Sequence, residues 1–543
     1  MNTNFAPILL DFYKASHRQQ YLKGTELVFS NHIARKSRVK GVDKVVFVGL
    51  QYWIKKYVLE LWNEHFFNQP KEVVVKEYTD FMEQHCPLDD YSHMSALHDL
   101  GYLPIEIWAV NEGVEVPIGV PMQAMFNTHD DFEWVTNMLE TIYSTTMWKP
   151  VTSATTALQY RRNAEKQYAA TGAPSEFISW AHHNFSMRGC GGVEDAQLVD
   201  LGHLVNFYGT DTAPGIALAK KYYNDVDFIA GSVVATEHSC MSSGIAIIQE
   251  SLESQGKWEN RFGTVYTSEF LFKGIIDKDN YQLAVEKAYI LTLMQVYPTG
   301  ILSIVMDTYD FFGVITQVLP SIKDEIMARD GKLVCRPDSG IPEDIICGDG
   351  TYYKSFGPEE RTHEQKGLIE ILWETFGGTT NESGFKVLDP HIGAIYGDAI
   401  TMERQSEIYK RLIEKKFSVE NIVLGIGSYS YVFVTRDTYG QAIKATYVVH
   451  NGKGYDTYKE PKTGDGSKKS LRGLFAIQED WSVKQQVTWE EFKNQSHMTQ
   501  VFRNGEFSRE TTLTEIRERL KYEGFTKAEF EAFNPMYRKR TQD

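Results

Sequence analysis

Cysteine is scarce: there are five in 543 residues, Cys86, Cys190, Cys240, Cys335 and Cys347, an odd number with no CxxC pair. A disulfide framework or a cysteine-built zinc site is therefore not expected, and the thiols read as reduced and structural. Long apolar runs are also missing. The longest, such as ILSIVM at 301–306, fall far short of the roughly 20 residues that a spanning helix needs, so no membrane segment is expected. The opening MNTNFAPILLDFYKASH has no basic region and no long apolar stretch before a small-residue cleavage site, which argues against a signal peptide and for a cytoplasmic protein. Positive charge is in deficit, with 56 Lys and Arg against 72 Asp and Glu and a formal net charge of −16. Such a chain repels nucleic acid and anionic membranes. Any phosphate it binds must be met by a local cluster of Arg and Lys, so a small ligand is expected.

What is present is apolar mass: 42% hydrophobic and 13% aromatic residues over 543 positions, beyond the size at which one core stops growing, so two domains are expected. Between residues 300 and 430 four short apolar runs each end in polar, Gly-containing sequence. Ile301–Met306 leads into Asp307, Lys332–Cys335 into RPDSG, Ile392–Tyr396 into Gly397 and Asp398, and Ile422–Leu424 into GIGS. Each reads as a buried parallel strand. The intervening VITQVLPSIKDEIMARD, EQKGLIEILWETFGG and ERQSEIYKRLIEKK have helical spacing, so the pattern is a repeated β/α unit. GDGTYYKSFGPEERTH in the longer middle gap reads as a surface insertion, and KTGDGSKKSLRG at 462–473 as a basic loop or an ordinary solvated turn. In parallel α/β folds ligands sit at the carboxyl ends of strands, where Asp307, Arg336, Asp338, Asp398 and Ser428 all fall. The first 150 and last hundred residues mix strands such as TELVFSNHIA and KATYVVHNGKG with helices such as GLQYWIKKYVLELWNEHF. They read as an α+β second domain built from both termini.

Nine motifs occur in one order: DFYKASH at 11–17, GLQYWIKKY at 49–57, LPIEIWAVNEG at 103–113, HLVNFYGTDTAPGIALAKKYY at 203–223, GSVVATEHS at 231–239, RPDSG at 336–340, YGD at 396–398, TRD at 435–437 and YVVHNGKG at 447–454. Singly each recurs by chance. In this order they resemble the nicotinamide phosphoribosyltransferase family, over nearly the whole chain. The resemblance implies a dimeric type II phosphoribosyltransferase with an irregular parallel α/β barrel, expected over 181–429, and an α+β domain from 1–180 plus 430–543. The chain's surplus length is expected near 257–298 and 345–361.

The implied reaction joins nicotinamide to the ribose of phosphoribosyl pyrophosphate, giving nicotinamide mononucleotide and pyrophosphate in NAD salvage. The pyridine nitrogen already has a lone pair, so positioning and charge neutralisation, rather than a general base, should carry the rate. By resemblance, Phe185 stacks on one face of the ring and the partner subunit's Tyr13 on the other. Asp211 accepts a hydrogen bond from the carboxamide and repels a carboxylate, with Ser303 as a second contact near the amide. Arg188 and Arg336 match positions that meet phosphates. Gly397, Asp398, Gly427 and Ser428 line the ribose phosphate end, where glycine lets backbone N–H groups approach an anion. Arg35, Arg436 and Lys444 resemble cations reaching the phosphates from the neighbouring subunit. Asp307 and Asp338 serve ribose hydroxyls, the Mg²⁺-bound pyrophosphate or His238. Mg²⁺ is expected through the pyrophosphate, with its protein ligands unassigned.

The resemblance further implies that ATP phosphorylates His238, tightening binding of phosphoribosyl pyrophosphate, with Glu237 or Asp307 orienting the imidazole. The chain departs from its relatives at Ser428, where they carry a glycine, and at Asn184 and Met187, where they carry Asp and Tyr. Rival readings are the same reaction on nicotinic acid, a glycoside hydrolase barrel with two facing carboxylates, and a catalytically silent binding protein on this scaffold.

Overall fold

The computed structural model describes residues 2–224, 228–276, 281–349, 361–460 and 470–520. Its centre is a ring of seven parallel strands: β1 (His182–Asn184), β2 (Gly209–Thr210), β3 (Val234–Ala235), β4 (Thr299–Val305), β5 (Asp330–Arg336), β6 (Ile392–Tyr396) and β7 (Ile422–Ile426). They pair in chain order, Leu302 on Val234, Leu333 on Leu302, Ile392 on Leu333, Ile422 on Ala394, His182 on Leu424 and Gly209 on His183. A parallel bridge between Gly209 and Gly231 closes the ring. The barrel expected from the resemblance is thus present.

Strands β4 to β7 contain the four apolar runs of the sequence; helices cover the outside of the ring, so β4, β6 and β7 are almost wholly buried, while in β5 Leu333 and Cys335 are the buried residues. The helices differ in detail from their continuous reading. Residues 311–327 break into short segments around Pro320 and Ile322, since proline cannot continue the hydrogen-bond ladder. Residues 363–376 split at Gly367, whose φ of 77° no ordinary helix position adopts. The surplus near 257–298 contains a hairpin, Lys257–Glu259 with Val265–Thr267, and the helix Tyr281–Val296. That helix is core rather than surface, for Leu283, Val285, Ala288 and Ile290 are at most 1% exposed. Most of the 345–361 segment and of the basic loop at 462–473 lies outside the described residues.

Chain from both ends builds a second, antiparallel sheet. Its strands run in the order Lys453–Asp456, Gln441–His450, Thr25–Ala34, Pro121–Asn127, Ile105–Ala109, Thr499–Arg503 and Glu506–Phe507, giving the expected α+β partner of the barrel. The 38-residue helix Trp134–Thr171 serves both cores: Val135, Tyr143 and Val151 pack with the antiparallel sheet, and Ala157, Tyr160 and Tyr168 with the barrel. Apart from Ala157, each of these side chains contributes about 1.5–3 kcal/mol through burial. We propose the division at 180/181 and 429/430 as the boundary between folding units, with this helix as their common strut. All five cysteines are unbonded, and among the described residues no helix is long and apolar enough to cross a membrane.

Candidate active site

Every barrel strand delivers a candidate residue at its carboxyl end. Phe185 follows β1, Asp211 follows β2, Glu237 and His238 follow β3, and Asp307 follows β4. Arg336 ends β5 with Asp338 just beyond, Gly397 and Asp398 follow β6, and Gly427 and Ser428 follow β7. The common direction of parallel strands places these residues on one rim.

One part of the rim is aromatic. Phe185 lies against Gly397 and Gly425: a Cβ on Gly397 would come within 3.0 Å of its ring, and one on Gly425 within 2.4 Å. His183 packs beside Phe185 with centroids 4.7 Å apart and holds Asp211 Oδ1 through Nε2 at 2.8 Å. The Ser232 hydroxyl donates to the same oxygen. Burial raises the Asp211 carboxyl, but the His183 contact, the Ser232 hydrogen bond and the charge of Arg336 outweigh it and leave the group below its ordinary value. Asp211 therefore stays an ionised acceptor beside the aromatic slot. Ser303 is 3% exposed, and its hydroxyl has no hydrogen-bond partner.

The other part is anionic and cationic by turns. Asp307 is 3% exposed and its Oδ2 accepts from the Asp338 backbone N–H at 2.8 Å and the Ser339 hydroxyl at 2.6 Å. Its Oδ1 has no hydrogen-bond partner and lies 3.7 Å from His238 Nε2. Nδ1 of the same imidazole meets the Thr308 hydroxyl at 3.2 Å, so the ring is bracketed on both sides. Glu237 instead accepts from the Ser239 hydroxyl; the carboxylate beside His238 is Asp307. His238 is half exposed and opens the helix His238–Gln255, whose free N–H groups and dipole favour an anion there. Arg336 donates to the Thr236 carbonyl at 2.7 Å and stands 3.9 Å from Asp338. Burial raises the Asp338 carboxyl, against Arg336 and with Asp307.

Ser428 packs on Gly189, where a Cβ would come within 1.9 Å of the Ser428 Oγ. The Ser428 side chain is thus accommodated by glycine on the facing turn, which also carries exposed Arg188. Asn184 gives its amide to Asp200 at 2.7 Å, so an acid at 184 would set two carboxylates face to face. Nothing in the structure explains Met187, which is exposed.

Tyr13, Arg436 and Lys444 line a separate cleft with Glu140 and Trp148. Tyr13 is 59% exposed and unused by its own barrel rim. Lys444 reaches Glu140 at 3.3 Å, while Arg35 donates to the Gly440 carbonyl and is lowered by burial and by Arg436. The sequence reading missed His183, Ser232, Thr308, Ser339 and Gly425. Only position within HHNF, GSVV, DTYD, RPDSG and LGIG marks them, because their roles depend on contacts between strands.

Comparison with known proteins agrees with this geometry. Residues 180–506 match the nicotinate phosphoribosyltransferase (NAPRTase) family model, and residues 6–107 the nicotinamide phosphoribosyltransferase N-terminal domain. A nicotinamide phosphoribosyltransferase of Acinetobacter baylyi is 40% identical over 532 residues, covering 94% of this chain and 96% of that protein. One from Mycoplasma pneumoniae is 30% identical, covering 88% and 96%. The crystal structure of human nicotinic acid phosphoribosyltransferase shares the fold, with a TM-score of 0.54 at 13% identity over 95% of this chain and 93% of that one. The chain belongs to the nicotinamide phosphoribosyltransferase group of the nicotinate phosphoribosyltransferase family, and is a phosphoribosyl-transferring enzyme.

Proposed function

We propose that this enzyme transfers the phosphoribosyl group of phosphoribosyl pyrophosphate to nicotinamide in the cytoplasm, releasing pyrophosphate, and that ATP stimulates it by phosphorylating His238. The observation that carries the choice of nicotinamide is the ionised Asp211 beside the Phe185 slot. Its free acceptor capacity suits a carboxamide N–H, and its charge repels the carboxylate of nicotinic acid. Arg188 and Arg336 take the phosphates, and Gly397, Asp398, Gly427 and Ser428 the ribose phosphate end.

Among the described residues no three His, Cys, Asp or Glu form a metal cage. Mg²⁺ that keeps waters and phosphate oxygens needs only one or two carboxylates, and Asp307, with its unpartnered Oδ1, and Asp338 fit that need. Bound there it would neutralise charge on the leaving pyrophosphate. We infer a homodimer in which Tyr13, Arg35, Arg436 and Lys444 complete the partner's site, since Tyr13 and Lys444 are open to solvent in their own chain.

The test measures nicotinamide mononucleotide and nicotinic acid mononucleotide formation from the two pyridines, with phosphoribosyl pyrophosphate and Mg²⁺. Nicotinamide is expected to be preferred, and Asp211→Asn to narrow the preference a few-fold, one lost charge repulsion at a side chain 46% exposed being worth about 0.2–1 kcal/mol. A wild-type preference for nicotinic acid overturns the reading. Gly425→Ala is expected to lower kcat/KM for nicotinamide about tenfold, because overpacking of about 1–3 kcal/mol falls on the Phe185 ring and on the Gly397 backbone beside it; a circular dichroism melt separates that from unfolding.

A further inference from the structure

Behind the ring slot lies a carboxylate that the reaction as described does not use. Asp200, on the helix Val193–Leu204, is fully buried. Its Oδ1 accepts two hydrogen bonds, from the Asn184 amide at 2.7 Å and from the Thr210 hydroxyl at 2.6 Å. These donors are the last residues of β1 and β2 and immediately precede Phe185 and Asp211. Each donor then fixes the turn beyond it. Asn184 Oδ1 accepts from the Ser186 N–H and hydroxyl, and Thr210 Oγ1 accepts from the Thr212 N–H at 3.0 Å. Asp200 Oδ2 has no hydrogen-bond partner and lies against Gly215, where a Cβ would approach it to 2.1 Å.

We propose that Asp200 is a second specificity-determining residue, which positions Phe185 and Asp211 through their neighbours and adds a negative charge behind the slot that disfavours a carboxylate-bearing ring. This rests on the reading of Asp211 as the group that meets the carboxamide. A scaffold role alone would need only the acceptor oxygen, which a neutral amide also offers; the charge is the additional feature.

The surroundings make that charge depend on pH. Burial pushes the Asp200 carboxyl up to about 7, against the Thr210 and Asn184 hydrogen bonds and assisted by Asp211. The other titratable groups around it are Cys190, from the turn after β1, and Tyr431, from the helix after β7, both raised in part by Asp200 itself. His183 is held by Asp211, and His203, on the same helix as Asp200, by the Tyr431 hydroxyl and the Gly209 carbonyl. Lys149, the cation of the long helix on this side, is taken by Asp195 at 3.1 Å. Because the folded value is raised, the carboxylate is present above about pH 7 and lost below it. Nicotinic acid is ionised across this window, so its rejection should strengthen as pH rises through 7.

The experiment compares kcat/KM for nicotinamide and nicotinic acid between pH 6 and 8.5, in the wild-type enzyme and in Asp200→Asn, with phosphoribosyl pyrophosphate, Mg²⁺ and ATP present. The wild-type preference for nicotinamide is expected to rise about tenfold across the range, one pKa unit of interaction. In Asp200→Asn the preference should be flat and about tenfold lower at pH 8.5. Should that variant not fold, Thr210→Val supplies the second arm: losing one donor to the ionised form, it should move the midpoint of the wild-type step to higher pH. A wild-type preference for nicotinamide that is flat with pH, or a step that survives unchanged in Asp200→Asn or Thr210→Val, overturns this inference and leaves the Asp211 reading standing. A preference for nicotinic acid at every pH removes both.

Discussion

Replacing Asp307 by Ala is expected to lower kcat/KM for phosphoribosyl pyrophosphate about a thousandfold while leaving the fold intact. The carboxylate ties the end of β4 to the turn after β5 through the Asp338 N–H and the Ser339 hydroxyl. Each hydrogen bond to a charged acceptor is worth about 1.5–3 kcal/mol. Losing both lets Arg336 and Asp338 drift, and about 4 kcal/mol of lost positioning and charge corresponds to roughly a thousandfold in rate. The same substitution removes the group 3.7 Å from His238 Nε2, so stimulation by ATP should fall with it. Asp307→Asn keeps an acceptor for the two donors but not the charge, and should fall between Ala and wild type. Steady-state kinetics with and without ATP read both effects, and a thermal melt checks the fold. A loss of less than tenfold in the Ala variant removes Asp307 from the reacting part of the rim.

The ease with which Asp307 was found, and the difficulty with its partners, have the same physical origin. Strands β4 to β7 are five to seven residues long and each holds a run of apolar residues, so they stand out as runs, and whatever follows them is marked as rim. Strands β1 to β3 are two or three residues long, and β1 is His182, His183 and Asn184. In β1 and β2 buried polar side chains replace the apolar signal, with partners on helices and in the turn beyond: His182 with Gln405, Asn184 and Thr210 with Asp200, and His183 with Asp211, which hides the strand in the segment that leads to Phe185. Of the nine ordered motifs two contain Asp211 and His238, and the resemblance they carry pointed to Phe185, where periodicity could not. Neither route exposes Asp200, whose significance lies in hydrogen bonds to residues 16 and 10 positions away, nor Gly425, whose missing side chain matters only because Phe185 folds onto it. The terminal domain was legible through its two ten-residue strands Thr25–Ala34 and Gln441–His450, which pair with each other. The helix shared by both cores was not, because its mixed buried face changes partners near residue 157 without a change in composition.

His238→Ala should bring the ratio of rates with and without ATP to about one and abolish acid-labile phosphate incorporation from ATP. The imidazole is half exposed, which lets a nucleotide phosphate reach it, and is held between the Thr308 hydroxyl and Asp307. In the proposed step a ring nitrogen attacks the γ-phosphorus, a P–N bond forms, the bond to the β-phosphate oxygen breaks, and ADP leaves. The new dianion would sit at the start of the 18-residue helix His238–Gln255, where unpaired N–H groups and the helix dipole contribute about 0.3–1 kcal/mol or more. It would also face Asp307, whose charge opposes it unless a cation lies between them. That pairing predicts an order: phosphate incorporation should rise with Mg²⁺, and in Asp307→Asn, which loses one of the two carboxylates that fit the cation, it should need more Mg²⁺ than in wild type. Titrating Mg²⁺ against phosphate incorporation in the two proteins decides the matter. Equal dependence would separate Asp307 from the histidine chemistry, while ATP stimulation that persists in His238→Ala would place the effect of the nucleotide elsewhere on the enzyme.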